Sequence, residues 1–166
     1  AAQHWRDSRI AAIYEGTNGI QAIDLVTRKL PLQNGAVMRA QLDSMAAIIG
    51  EVERSNNPAF GETAQRLSEA LAALESATDF MLAHVKDGQQ QALAGATPYL
   101  RLFGVTQGGV ALAKRGLVSA KAGDGEAEIG LARFFAAHVT SEAPGLGRTV
   151  TEGAAALDAG FAALAS

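Results

Sequence analysis

Apolar residues along this chain recur three and four positions apart, the spacing that gathers side chains on one face of an α-helix. The pattern predicts helices over about Trp5 to Tyr14, Ile20 to Lys29, Val37 to Arg54, Ala59 to Lys86, Tyr99 to Lys121, Glu126 to His138 and Arg148 to Ala165. Ile20, Ile23, Val26 and Leu30 form one expected buried stripe. Met38, Leu42, Met45, Ile48, Ile49 and Val52 form a second, and Leu67, Leu71, Leu74, Ala77, Met81 and Val85 a third. The predicted breaks are rich in turn residues: "EGTNG", "LPLQNG", "SNNP", "KDGQQQALAGATP", "AGDGEAE" and "SEAPGLG", the last a kink or short interruption. Proline disfavours helical geometry in the residue before it, which ends the second helix near Pro31. Long amphipathic helices joined by short polar connections predict an all-α fold, an antiparallel helix bundle.

Composition agrees with that reading. Of 166 residues, 48% are hydrophobic and only 5% aromatic, so the core is built from alanine and leucine. A net charge of -3 without a Lys/Arg cluster argues against a nucleic-acid partner. No apolar run reaches the roughly 20 residues that span a bilayer, so no membrane partner is expected. The absence of cysteine excludes disulfides and thiolate metal sites and suits a cytoplasmic setting.

The candidate chemistry sits in "RIAAIYEGTNGIQAIDLVTRKL", Arg9 to Leu30. Glu15 stands between two helical patterns, with Thr17 or Asn18 able to cap the second. The negative end of the first helix and apolar neighbours such as Ile13 would favour its protonated form. The N–H groups of the next helix would favour the anion. Spacing alone leaves both a catalytic carboxylate and a plain helix connection open. Gly104, Gly108, Gly109 and Gly116 lie near Lys114 and Arg115, but match no phosphate-loop spacing and read as a close helix contact. His4, His84 and His138 have no second ligand at i+3 or i+4 and read as solvent-facing or capping residues, so no metal is expected. Trp5 and Tyr14 are expected to pack as core aromatics. "AGDGEAE" lacks calcium-loop spacing and reads as a solvated turn.

The segment "RDSRIAAIYEGTNGIQAIDLVTRKL", around the core Ile13-Tyr14-Glu15-Gly16-Thr17 and Ile20-Gln21, resembles the end of the catalytic part of FAD-dependent acyl-CoA dehydrogenases. With well over a hundred residues of helix after it, the chain is most similar to the long 3-methylmercaptopropionyl-CoA dehydrogenase-like branch, which carries an extra C-terminal helical domain. "YLRLFGVTQGGVALAKRGL" and "LARFFAAHV" resemble that domain more weakly. The resemblance implies that residues 1–34 end the catalytic helical domain and that 35–166 form the appended bundle. It also implies that Glu15 removes the α-proton of an acyl-CoA thioester while the flavin accepts the β-hydride. Gly16 would lie against substrate, and Thr17, Asn18 and Gln21 would meet FAD. An electron-transfer acceptor and a homo-oligomer are implied as partners. The N-terminal helical domain and central β-domain that hold FAD in the family have no counterpart here, so the chain alone is expected to be inactive and not to hold FAD. The competing expectation is a non-catalytic helical module for interaction or oligomerisation.

Overall fold

The computed structural model describes residues 2–9 and 17–164, and among these it is helical throughout, without strands. The helices are α1 (Ala2–Ser8), α2 (Thr17–Asp24), α3 (Ala36–Arg54), α4 (Thr63–His84), α5 (Gln89–Ala94), α6 (Ala96–Lys121), α7 (Glu126–His138) and α8 (Ala143–Leu164). Helix α6 is the hub, packing against α2, α3, α4, α7 and α8, while α4 also packs on α3 and α8. Consecutive long helices that pack together across short connections are compatible with the antiparallel bundle expected from the sequence.

The predicted stripes of α3 and α4 face the core. Met38, Leu42, Met45, Ile49 and Val52 are buried on α3, with Ile48 half-buried beside them. On α4, Leu67, Leu71, Leu74, Ala77 and Met81 are buried and Val85 is half-buried. Each fully buried leucine contributes roughly 1.5–3 kcal/mol relative to exposure. The largest fully buried side chain is Tyr99, whose hydroxyl lies 2.8 Å from Thr78 Oγ1. Thr78 can also donate to Leu74 O at 2.7 Å, so this polar pair is satisfied inside an apolar core.

The helix after the first break differs from expectation in its buried face. Ala22, Val26 and Leu30 are buried in the common core, whereas Ile20 and Ile23 are 62% and 45% exposed. The reason lies in residues Leu25–Lys29, a π-helical turn closed by Leu30 N–H donating to Leu25 O at 2.8 Å. A π turn takes an extra residue per hydrogen-bonded ring, so the apolar stripe changes phase across it. Ala22, small and fully buried, then serves as the contact where two isoleucines were expected. Helix α2 also starts at Thr17, which puts Thr17 and Asn18 inside the helix and not at the cap.

Other boundaries move for local reasons. The break expected around "KDGQQQALAGATP" contains helix α5, and α6 begins at Ala96 instead of Tyr99. Pro98 is tolerated because it lies in the first turn, where backbone N–H groups have no intrahelical acceptor. The same holds for Pro144, so α8 begins at Ala143 and the expected interruption shrinks to the short 3₁₀ turn Thr140–Glu142. Ahead of α4, Pro58–Phe60 forms a separate 3₁₀ turn, with Asn57 accepting from Ala59 N–H at 3.0 Å. Gly61, at φ +52°, then separates it from the helix.

"LPLQNG" is a turn as expected, and "AGDGEAE" is one as far as Gly125, its last three residues opening α7. Gln33, Asn34 and Gly35 take left-handed φ values of 51°, 57° and 85° in succession before α3. The end of α6 is a Schellman cap: Asp124 N–H donates to Ser119 O and Gly123 N–H to Ala120 O, with Gly123 at φ +85°.

Candidate active site

Of the residues singled out around "EGTNG", Glu15 and Gly16 lie outside the described residues, as does Tyr14. The rest of the segment forms the first turns of α2. Thr17 opens the helix, and the N–H groups of residues 17–20 precede any i−4 acceptor within it. Asn18 and Gln21 are exposed and, three positions apart, share one side of the helix. Their amides are neutral donors and acceptors, of the kind that can meet the polar edge of a flat heterocycle. Beside them the exposed Ile20 and Ile23 add an apolar strip.

The base of this segment is fixed. Asp24 accepts from Arg28 at 2.8 Å and from Lys29 at 3.1 Å. The hydrogen bond from Lys29, aided by Arg28, holds the Asp24 carboxyl below its ordinary value despite some desolvation. Thr27 Oγ1 donates to Ile23 O at 2.8 Å, and Val26 and Leu30 anchor the turn in the core. One side of α2 is thus held to the bundle while Asn18, Ile20, Gln21 and Ile23 face outward.

The remaining candidates resolve into structure. A Cβ added at Gly109 would lie 2.6 Å from Leu67 Cδ2 and 2.9 Å from Thr140 Oγ1. At Gly108 it would meet Phe135, and at Gly116 Phe60, each at 3.2 Å. These glycines let α6 approach its neighbours closely, while Gly104 faces open space. Lys114 is exposed and Arg115 pairs with Glu128 at 3.1 Å. His4 and His138 are exposed; half-buried His84 stacks on Phe80 at 4.2 Å, with Nδ1 2.8 Å from Phe80 O. Among the described residues no group of three or more His, Cys, Asp or Glu side chains could hold a metal ion, and no helix is long and apolar enough to cross a membrane.

Trp5 corrects its expectation as a core aromatic. It is 63% exposed, with the Arg9 guanidinium 5.2 Å from its ring centre. The short helix carrying it has no buried residue, so nothing there offers the indole a core to enter.

Residues 39–159 match the model of the family described as "Acetyl-CoA dehydrogenase C-terminal like". The chain belongs to this acyl-CoA dehydrogenase C-terminal family. The match covers α3 through most of α8, the part of the chain with the weaker resemblance in sequence. Its kinship extends to 3-methylmercaptopropionyl-CoA dehydrogenase of Ruegeria pomeroyi, to which the chain is similar at 39% identity over 148 residues. That alignment takes in 85% of the chain but 25% of the relative, so the family member described here spans about a quarter of the length of that protein.

Proposed function

We propose that this chain is the C-terminal part of a flavin-dependent acyl-CoA dehydrogenase, in which residues 1–34 complete the catalytic domain and 35–166 form an appended bundle. The observation that carries this reading is the joint one: the "YEGTNGIQ" segment stands in a chain that is 39% identical over 148 residues to a 3-methylmercaptopropionyl-CoA dehydrogenase.

Glu15 is the α-proton base. A carboxylate that titrates at about 4.3 in water must be raised to remove a carbon proton, and enclosure in an apolar site does this. The outward-facing Ile20 and Ile23 would contribute to such an enclosure once covered. Gly16, lacking a side chain, lets substrate approach the backbone. Thr17, Asn18 and Gln21 would hold the flavin, and the exposed amides of Asn18 and Gln21 fit its polar edge. Bound FAD supplies the acceptor for the β-hydride. Single exposed helix turns cannot enclose a cofactor, so catalysis, FAD binding and reduction of an electron-transfer acceptor belong to the full-length enzyme.

The test uses that enzyme. Glu15→Gln should retain its flavin spectrum and acyl-CoA binding while turnover falls by about 10²–10⁴-fold, the usual contribution of a general base. Near-normal turnover would remove Glu15 from the mechanism. If the full-length protein bore no flavin and oxidised no acyl-CoA, a helical interaction module would be the better reading.

A further inference from the structure

Asp24, the last residue of α2, sits between two cations, 2.8 Å from Arg28 Nη1 and 3.1 Å from Lys29 Nζ, with its own side chain only 18% exposed. The two partners are not equivalent. On an α-helix, residue i+4 stands about 40° around from residue i, whereas i+5 stands about 140° away, on another side. A turn that closes from i to i+5 brings both within about 50° of residue i, one on each flank. The pair with Arg28 is thus open to either helix type. The pair with Lys29 needs the π turn at Leu25–Lys29.

Burial leaves the choice of helix type open. Ala22, Val26 and Leu30 are all fully buried. In an unbroken α-helix they would spread over only about 80°, inside the roughly 100° width of an ordinary apolar stripe. The core therefore accepts both geometries, and polar contacts at the turn distinguish them. The hydrogen bond from Lys29 is the largest influence holding the Asp24 carboxyl below its ordinary value. Thr27 Oγ1 adds a local support by donating to Ile23 O at 2.8 Å, at the entry to the turn. Upstream of this point lie the exposed amides of Asn18 and Gln21, whose direction relative to the bundle follows from the helix type chosen here.

We propose that Asp24 and Lys29 are positioning residues, whose ion pair holds α2 in the π-turned register that aims Asn18 and Gln21 at the flavin. This rests on the flavin-dependent reading of α2 and extends it to residues beyond the "YEGTNGIQ" segment.

The test is made on the full-length enzyme, by FAD dissociation constants and the visible circular dichroism of bound flavin. Lys29→Met and Asp24→Ala should each weaken FAD binding by about two- to fivefold, the size of effect expected of one partly exposed ion pair, and should alter the flavin band. Arg28→Met removes a contact common to both helix types and should leave both readouts as in the parent enzyme. Lys29→Arg keeps the cation and should recover most of the loss. The Arg28 and Lys29 side chains are 81% and 60% exposed, so helical content by far-ultraviolet circular dichroism should stay unchanged when either is replaced. If Arg28→Met were as harmful as Lys29→Met, the loss would track positive charge and not helix type, and the proposal would be overturned. FAD binding by Lys29→Met equal to that of the parent would also overturn it, while leaving the flavin reading in place. A parent enzyme that binds no FAD would overturn both.

Discussion

Two glycines five residues apart on α6 should respond with opposite sign to the same substitution. Ordinarily, replacing glycine by alanine inside a helix stabilises it by about 1 kcal/mol, because alanine has less backbone freedom to lose. Gly104 is exposed with nothing within 4 Å of a new Cβ, so Gly104→Ala should gain close to that amount. At Gly109 the new methyl would stand 2.6 Å from Leu67 Cδ2 and 2.9 Å from Thr140 Oγ1. Leu67 is fully buried and Thr140 nearly so, the latter donating to Phe135 O at 3.3 Å, so neither can turn aside into solvent. Overpacking a tight core contact costs typically about 1–3 kcal/mol, and subtracting the helix gain leaves Gly109→Ala destabilised by up to about 2 kcal/mol. The two variants should therefore differ by roughly 1–3 kcal/mol. Urea unfolding followed by circular dichroism at 222 nm reads this directly, with thermal midpoints separating by several degrees. If Gly109→Ala were as stable as Gly104→Ala, the close approach of α6 to α4 would not need that glycine, and the packing argument would fail.

Alkaline pH should weaken the fold through Tyr99, which burial pushes up from 10.0 to about 12 even though Thr78 partly opposes the shift. Below pH 10 the phenol is neutral folded and unfolded; between 10 and 12 only the unfolded chain ionises, so stability falls by about 1.4 kcal/mol per pH unit, and Tyr99→Phe should flatten that limb in urea titrations. In the α4 core, Leu74→Ala should cost about 2–5 kcal/mol by equilibrium unfolding, since Leu74 is fully buried and its neighbours can collapse only partly. A loss below about 1 kcal/mol would mean that the core is looser than its burial implies.

Most of the bundle was legible in the sequence because three- and four-residue spacing maps directly onto one helix face. Met38 through Val52 and Leu67 through Met81 are clear cases. Where the reading missed, a local rule was applied without its exception. Pro98 and Pro144 look like stops in sequence, yet both occupy first turns where no N–H is needed. Ile20 and Ile23 look like core by hydrophobicity, but a change of helix type between them and Leu30 cannot be seen as a period. The candidate site was legible in another way. Physical spacing made Glu15 only a carboxylate between helices, and family resemblance supplied its proposed role. Trp5 shows the same limit from the other side: an aromatic enters a core only where neighbouring helices supply one, and a heptapeptide helix without buried residues supplies none.

The π turn at Leu25–Lys29 acts as a phase coupling between two parts of the chain. Downstream, Leu30 is locked in the core; upstream, α2 carries Asn18 and Gln21 outward. Removing one residue from that turn would restore ordinary α geometry and rotate everything before it by about 100° relative to the bundle, with an axial shift of about 1.5 Å. The compass bearing of Asn18 and Gln21 is therefore written into five residues that follow them in the chain.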